Sequence, residues 1–591
     1  GSLTITAIGT TASGTVTTTS TTGLVVGQPV SGTGVPYGTT ISQIISGTQF
    51  SLSQNATSTG TTITLGTVTG ATANLTNTVA STGTTAPVLT VPVANLVVGQ
   101  MVTSTNLLAS KGWYIATIGN GTVTLGSTTG ASIAVGAVAA NEVITPTVSP
   151  SFAGALTITG GTVIASATSA TANTINDSSA LTFAADSIRG AAYGAAGTFT
   201  YSANSAGSSE MMGVLTPSAG AGTVQLATTA GVNTLGFGSL GTPAVGAGLN
   251  FSVTGAGTTN SIAFLAAPSL TNGLINGRVY YNGADFATYA SASTTASAAS
   301  TASTSLSVTS ATGIAVGMLV TGAGITGMPV VTAINGTTLT LSTAQTIANT
   351  TALSFGALAQ PIYGTTTGFT TVGTLTGSTN VAINATASTG ALSVTSLKIS
   401  GNTPLALTGL LTIGGATGGG ILVDGATTGA SITGTGVTTA SAGDLVIRVN
   451  GASDILTLSA PVTATTTGGI TKNGAGTLIL NAVNAQTGTL TINEGKVQLS
   501  GGATTVGSST AVNIVIRQGA VFDLNGVNVN SSTNSAAAVT VAGTITNTAA
   551  GTTAEFRTAN ATGFISGLIT DGSSTAKVSL NKSGSNFLRL S

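Results

Sequence analysis

Acidic side chains carry most of the catalytic potential of this sequence, because its 591 residues include no His and no Cys. Nucleophilic triads and zinc sites depend on those two residue types, so both are excluded in their usual form. Hydrolysis of a polysaccharide would need two carboxylates roughly 5–10 Å apart. The twelve acids are Glu142, Asp177, Asp186, Glu210, Asp285, Asp424, Asp444, Asp454, Glu494, Asp523, Glu555 and Asp571.

Asp424, Asp444 and Asp454 are the best candidates for such a pair, because neighbouring coils of a repetitive β-structure could bring them together. None of the acids forms an obvious dyad by spacing, however, and Asp commonly caps the backbone at turns. We therefore expect these residues to lie in corner turns. We expect no catalytic residues and no enzymatic activity.

Metal and cofactor sites have equally weak signals. The segment TGGGILVDG (417–425) only distantly resembles the calcium-binding nonapeptide, and a strand followed by an Asp-Gly turn explains it better. The run GATGGG (415–420) lacks the Lys and the strand-to-helix context of a phosphate loop, so it indicates a turn. We expect no metal and no cofactor.

Two aromatic pairs, Trp113–Tyr114 and Tyr280–Tyr281, stand out in a chain that is only 4% aromatic. Exposed aromatic pairs could bind a glycan or a protein partner, whereas buried pairs fill a core. Core filling is the favoured interpretation, and glycan binding is the alternative.

Charge is scarce, at 4% of residues against about 25% in an average soluble domain. So few Lys and Arg residues cannot build the cationic patch that nucleic acid requires, so we expect no nucleic-acid partner. No apolar run is long enough for a membrane-spanning helix, so we expect no membrane span.

Short strands dominate the pattern. Leu, Ile and Val alternate with Thr, Ser and Asn in runs such as VTLG, LTLS and TLTIN, and Gly and Asn separate the runs. Alternation of period two predicts strands, and helical spacing is nearly absent. The fold class is therefore predicted to be all-β.

Three segments resemble one another: GLVVGQPV begins at residue 23, NLVVGQMV at 95 and GIAVGMLV at 313. Each continues into several short strands with Gly-rich turns, which is typical of a small β-sandwich-like module. The third module interrupts sequence of a different pattern. The predicted domains are residues 1–66 (first module), 67–140 (second module), 141–292 (first solenoid segment), 293–357 (inserted third module) and 358–591 (second solenoid segment).

The remaining sequence predicts a parallel β-helix, or β-solenoid, with one coil per ~20–25 residues. One coil cannot bury its apolar face alone, but stacked coils share a column of Leu, Ile and Val. A single continuous stack would hold roughly 17 coils at strand spacing.

The clearest repeat lies in residues 468–500. It contains GGITKNGAGTLIL and then TGTLTINEGKVQL, and the closing LNKSGSNFLRLS (580–591) repeats its opening. Lys472 and Gly474 align with Lys582 and Gly584. This segment resembles the autotransporter-associated β-strand repeat, also called the passenger-associated transport repeat, of large bacterial surface proteins. The resemblance implies a β-helical passenger, secretion, and a location outside the cell or on its surface.

We expect a structural role from these features. Solenoids normally carry polar caps, and neither end of this sequence shows one, so exposed strand edges should pair with other copies. The predicted function is an extracellular protein that assembles with copies of itself into a surface filament, fibre or layer. The alternative is an adhesin or autotransporter-like passenger that binds a glycan or a cell surface.

Overall fold

The computed structural model is all-β. The residues it describes are 3–9, 15–18, 30–32, 39, 41–46, 49–52, 62–65, 75–76, 88–90, 102–103, 113–118, 122–127, 143–146, 154–167, 174–185, 196–228, 230–254, 260–377, 379–414, 419–440, 443–463, 468–501, 506, 512–529, 538–558 and 563–590. All regular elements in these ranges are strands, and none of the ranges holds a helix that could cross a membrane. The chain divides into two compact units, Gly1–Ser151 and Phe152–Ser591.

The described residues of the first unit form twelve short strands, and their pairings are antiparallel. One sheet has the order β3-β6-β1-β2-β5-β4, and two three-stranded sheets have the orders β10-β11-β8 and β7-β12-β9. The strands are β1 (Leu3–Gly9), β2 (Thr15–Thr18), β3 (Val30–Gly32), β4 (Ile41–Ser46), β5 (Gln49–Leu52), β6 (Thr62–Leu65), β7 (Leu75–Thr76), β8 (Val88–Thr90), β9 (Val102–Thr103), β10 (Trp113–Ile118), β11 (Thr122–Ser127) and β12 (Val143–Pro146).

The second unit begins with a stack of parallel strands, which we call the first stack. Its strands are β13 (Leu156–Ile158), β14 (Gly161–Ser166), β15 (Leu181–Ala184), β16 (Gly197–Ser202), β17 (Ser208–Ala227), β18 (Asn233–Leu240), β19 (Ala247–Thr254), β20 (Asn260–Phe264), β21 (Val279–Tyr281) and β22 (Asp285–Phe286). Apolar residues align in register from coil to coil, as in the ladder of Phe199, Val224 and Phe251. Each such buried side chain contributes about 1.5–3 kcal/mol relative to exposure.

An antiparallel segment follows the first stack. Its strands are β23 (Thr288–Thr295), β24 (Ser300–Ser307), β25 (Leu319–Gly322), β26 (Val331–Asn335), β27 (Thr338–Ile347) and β28 (Ala352–Ala359). They form two three-stranded sheets, β23-β28-β25 and β24-β27-β26, around a core of their own. β23 and β28 pair from Thr288↔Ala359 to Thr295↔Ala352, so the chain enters and leaves this segment at neighbouring positions.

A second stack of parallel strands completes the unit. Its strands are β29 (Asn380–Ile383), β30 (Ala387–Thr389), β31 (Leu392–Val394), β32 (Ser396–Ser400), β33 (Pro404–Ile413), β34 (Gly420–Asp424), β35 (Ala430–Thr439), β36 (Leu445–Val449), β37 (Ile455–Leu458), β38 (Ile470–Asn473), β39 (Thr477–Leu480), β40 (Leu490–Ile492), β41 (Lys496–Leu499), β42 (Ile514–Ile516), β43 (Val521–Asp523), β44 (Val539–Val541), β45 (Thr544–Asn547), β46 (Thr553–Thr558), β47 (Gly563–Ile565), β48 (Leu568–Asp571), β49 (Lys577–Lys582) and β50 (Leu588–Leu590). Two long sheets enclose one aliphatic core.

The predicted all-β class and parallel solenoid are therefore confirmed. The sandwich-like packing of the antiparallel segments stays a prediction. The expectation of one continuous stack is wrong, because the strands of the two stacks belong to separate sheets with separate cores. Periodicity within each coil could not show that the chain turns back between the two stacks.

The two stacks lie side by side, and we call their contact the seam. Positions 285, 278, 246 and 220 of the first stack contact positions 398, 444, 493 and 517 of the second, respectively. The residue numbers fall along one stack as they rise along the other, so the two stacks progress in opposite directions.

The burial of the strands in the second stack agrees with this arrangement. In the sheet order β29-β32-β34-β36-β38-β40-β42-β44-β47-β50, all residues of β36, β38 and β40 are buried. In the other sheet, β37, β39 and β41 alternate between half-buried and buried positions. Strands that are covered on both faces lose the alternating pattern, so the first stack acts as the second cover of this sheet.

Gly277 lies where the backbones of the two stacks approach each other closely. A Cβ atom at this position would lie 2.2 Å from the carbonyl carbon and 2.5 Å from the Cα atom of Gly419. Backbone atoms cannot give way as the end of a side chain can. The seam therefore needs glycine here to keep the stacks at this spacing.

We expect Gly277→Ala to lower the free energy of unfolding by about 1–3 kcal/mol, the usual cost of overpacking. Chemical denaturation followed by circular dichroism measures this change. Gly390→Ala is the matched control, because a Cβ atom at Gly390 has no neighbour within 4 Å. Equal stability of the two variants would contradict the proposed close contact.

Candidate functional site

Charged side chains that are far apart in the sequence lie close together in the seam. Arg278 donates to Asp444 through both terminal nitrogens, with Nη1 3.0 Å from Oδ2, and the Thr471 hydroxyl also donates to Asp444. Arg278 and Asp444 are both buried, and burial lowers the pKa of Arg278 to about 10. Paired, bidentate geometry is what makes such a desolvated charge tolerable.

Arg448 bridges the stacks at a second point. Its Nε donates to the carbonyl of Gly283 at 2.9 Å, and its guanidinium lies 4.8 Å from the centre of the Tyr280 ring. Nη1 also lies 3.8 Å from Glu494. The Arg448 side chain thus joins backbone and aromatic surface of the first stack to an acid of the second.

A third contact joins Lys398 to Asp285, with 2.5 Å between Nζ and Oδ2. The Tyr363 hydroxyl donates to the other carboxylate oxygen at 3.1 Å, and the backbone N–H of Phe286 donates to the same oxygen at 2.9 Å. Every oxygen of this buried carboxylate is therefore satisfied.

Lys472 is fully buried in a corner of the second stack. Its Nζ donates to the carbonyls of Asn473, Gly474 and Glu494, at 2.9, 2.7 and 3.3 Å. Gly474 has a φ of 80°, and its N–H donates to the Glu494 carboxylate at 2.8 Å. A left-handed glycine and a lysine that binds the turn carbonyls thus form a corner clamp, and the following coil supplies Glu494.

The second copy of the sequence pattern forms the same clamp. Lys582 donates to the carbonyls of Ser583 and Gly584, at 2.5 and 3.2 Å, and Gly584 also has a φ of 80°. The alignment of Lys472 with Lys582 therefore reflects a shared local structure.

Comparison with known proteins identifies this corner segment. The family model described as passenger-associated-transport-repeat matches residues 470–499. The chain carries this repeat. The clamp of Lys472, Gly474 and Glu494 lies entirely within it, so the resemblance noted in the sequence is confirmed over these residues.

Other comparisons are more remote. No curated protein matches the chain. Among solved structures, the Gp54 tailspike of Acinetobacter baumannii bacteriophage AP22, in complex with A. baumannii capsular saccharide, has 10% sequence identity and a TM-score of 0.17. The match covers 67% of this chain and 71% of that chain. A score this low assigns neither a fold nor a ligand to the present protein.

The acids considered for polysaccharide chemistry have structural partners. Asp454 accepts from the backbone N–H groups of Gly425 and Gly451 at 3.1 and 2.8 Å, and Asp424 accepts from Asn450 at 2.7 Å. Asp444 belongs to the seam. Asp454 therefore lies at a turn, as expected. Asp424 is the last residue of β34, next to the turn that begins at Gly425, and the ion pair of Asp444 was not foreseen.

Other candidate residues lie in the seam, in the core of the first stack, in β10 or outside the described residues. Tyr280 is buried in the seam, and Tyr281 packs against the core of the first stack. Trp113 and Tyr114 lie in β10, and nothing is described of their side chains. Glu142, Asp186 and residues 415–418 lie outside the described residues. Within the described ranges, no group of three acids is placed to hold a metal ion.

A groove of about 310 Å³ lies between the end of β20 and the sheet β23-β28-β25. Buried aromatic residues and residues with hydroxyl groups both line it. The aromatic residues are Phe264, Tyr289 and Phe355, and the hydroxyl residues include Ser291, Ser293, Thr321 and Ser354. None of its lining residues is charged, so the groove suits an uncharged polar ligand.

Burial of Lys472 lowers its pKa from 10.5 to about 7, although Glu494 opposes this shift. Between pH 7 and 10.5 the unfolded chain therefore binds more protons at this lysine than the folded chain. Between pH 7 and about 9, below the pH at which the tyrosines of the unfolded chain ionise, this lysine should raise the free energy of unfolding by up to a few kcal/mol. We expect Lys472→Met to remove that rise in denaturation curves recorded at several pH values.

Lys496→Met is the control, because the Lys496 side chain is 35% exposed. This control should keep the rise. Glu210, whose pKa burial raises to about 7, changes charge mainly below the chosen range. A rise of equal size in Lys472→Met and in the unmodified protein would argue against the buried clamp.

Proposed function

We propose that this chain is an extracellular structural protein whose second stack assembles with further copies through the strands of its last described coil. The passenger-associated-transport-repeat indicates an extracellular or cell-surface protein. The observation that carries the assembly proposal is the exposed coil formed by β48, β49 and β50.

Each of these three strands has one described neighbour: β48 pairs with β45, β49 with β46, and β50 with β47. Their outer edges offer backbone N–H and C=O groups, which readily pair with another strand. Leu568, Phe587 and Leu590 are 66, 59 and 60% exposed on this coil. An added coil would cover both the edges and these apolar side chains.

The corner clamp indicates which kind of residue an added coil should supply. In the interior repeat, Glu494 of the following coil accepts from Gly474 and adds a third carbonyl for Lys472. An acidic turn in an added coil could serve Lys582 and Gly584 in the same way.

Charge favours one orientation of assembly. The last described coil carries Lys577, Lys582 and Arg589 against Asp571, which leaves two positive charges in excess. Two such coils would repel each other, so contact of this coil with a different surface of the next copy is favoured. Repeated contact of unlike surfaces produces an open filament when the rotation does not close a ring.

We also propose that the protein is not an enzyme. Asp424, Asp444 and Asp454 serve in turns and in the seam. A structural role explains why these carboxylates face an asparagine side chain, an arginine and backbone N–H groups, respectively.

Assembly can be measured on the purified chain by light scattering over a range of concentrations and by negative-stain microscopy. We expect concentration-dependent oligomers or filaments. Leu590→Lys should raise the critical concentration for assembly at least tenfold. This factor corresponds to about 1.4 kcal/mol, less than burial of one Leu contributes.

Val245→Lys is the matched control, because Val245 is exposed on the first stack and distant in sequence from the last described coil. This control should assemble normally. A monodisperse monomer at all concentrations, or equal loss of assembly in both variants, would contradict assembly through that coil.

The groove favours a second candidate function, an adhesin that binds a saccharide. A concave site with a few convergent hydroxyl groups can hydrogen-bond a sugar, and Ser291, Ser293, Thr321 and Ser354 supply such groups here. The absence of charged residues from its lining points to neutral saccharides.

We expect the purified chain to bind neutral saccharides on a glycan array, and we expect Ser354→Trp to abolish this binding by filling the groove. Thr340→Trp is the control, because Thr340 is exposed on β27 and does not line the groove. Binding that survives in Ser354→Trp would place the saccharide elsewhere.

A further inference from the structure

Lys398 and Asp285 bring an amine and a carboxyl group, which can react with each other, into contact. They lie 113 positions apart in sequence and meet where the chain turns back from the first stack to the second. Nζ and Oδ2 are 2.5 Å apart, so the nitrogen and the carboxyl group are in direct contact. The side chains are 14 and 2% exposed, so water has little access to either group.

Apolar side chains surround the pair. Leu274, Phe286, Phe369 and Leu422 form a buried cluster with Tyr280, and Tyr363 packs against it. The Lys398 ammonium lies 5.8 Å from the centre of the Tyr363 ring. Such surroundings disfavour a desolvated carboxylate and favour the neutral form of Asp285.

The two carboxylate oxygens of Asp285 have different partners. Oδ1 accepts hydrogen bonds from the Tyr363 hydroxyl and from the Phe286 N–H. Oδ2 faces the lysine nitrogen. Two donors on one oxygen stabilise the negative charge that develops there when a nucleophile attacks the carboxyl carbon.

We propose that Lys398 and Asp285 condense into an intramolecular isopeptide bond that joins the two stacks covalently. A proton first passes from the ammonium to Oδ2, which leaves a neutral amine and a neutral carboxylic acid. The lone pair of Nζ then attacks Cγ, and the developing oxyanion is Oδ1.

Collapse of this intermediate breaks the bond between Cγ and Oδ2. Oδ2 leaves as water with its own proton and one proton from the nitrogen. The product is an amide with one N–H, and Oδ1 is its carbonyl oxygen. The reaction consumes the amine and the acid, releases one water molecule, and needs no oxidant, reductant or further reactant.

Two physical conditions favour this reaction over the ion pair. Groups held in reacting geometry behave as though present at about 10⁵–10⁸ M, and the fold holds this amine against this acid. Burial also raises the pKa of Asp285, although Lys398 opposes that effect, so the proton transfer that starts the reaction becomes easier.

Other pairs in the same unit serve as internal references. Arg278 and Asp444 are equally buried in the seam, but a guanidinium does not condense with a carboxylate under these conditions. Lys496 and Asp523 offer the right groups, but their 3.9 Å separation and the 35% exposure of the lysine leave them solvated. Of these three pairs, Lys398 and Asp285 alone combine nucleophile, contact and burial.

Mass spectrometry of the purified, folded chain tests the proposal. We expect an intact mass that is lower than the sequence mass by one water molecule. Trypsin should fail to cleave after Lys398, and further digestion with chymotrypsin should yield a branched peptide that contains both Asp285 and Lys398.

Lys398→Arg should restore the full sequence mass, because arginine keeps the ion pair but cannot form the amide. Lys496→Arg is the matched control and should keep the loss of water. Tyr363→Phe keeps the ring and removes one donor to Oδ1, so cross-linking after refolding should slow on the order of 10²-fold.

Two results would overturn the proposal. The first is a wild-type chain that keeps its full sequence mass after prolonged incubation in the folded state. The second is a loss of water that persists in Lys398→Arg, because a succinimide at an Asp-Gly step such as Asp571–Gly572 produces the same mass change.

Discussion

A parallel sheet that is covered on both faces is the constraint on which the second unit depends. The sheet containing β34, β36 and β38 packs one face on the aliphatic core of the second stack and the other on the first stack. The first stack therefore covers the outer face of this sheet and is also a solenoid with a core of its own. Parallel sheets generally need such double cover, and here the chain obtains it by turning back on itself.

The scarcity of charge follows from the same arrangement. Ionic groups in the seam must lose water, and a desolvated charge is tolerated only with a close partner. In the seam, Arg278 has Asp444 and Lys398 has Asp285. These few charges fix the lateral position of one stack against the other, because an apolar contact alone would permit sliding.

The sequence predicted the fold class and the coils because alternation such as TLIL in β39 directly reflects one buried face. It also predicted that Asp454 lies in a turn, since a short acid beside glycine caps the backbone. The seam could not be predicted from the sequence, because Arg278 and Asp444 lie 166 positions apart and no local pattern links them. One signal was available, however. The runs ILVD and LVIR are continuously apolar before their charged residue, which is typical of strands with two covered faces.

The corner clamp has a consequence for how such chains change in length. Lys472 is the last residue but one of β38, which belongs to the sheet covered by the first stack, whereas Lys582 ends β49, which belongs to a different sheet. The same short motif therefore operates on different sides of the coil. Because its geometry is local, duplication or deletion of a single coil during evolution would leave every remaining corner intact. Proteins of this kind could thus diverge into very different sizes while their cross-section stayed the same.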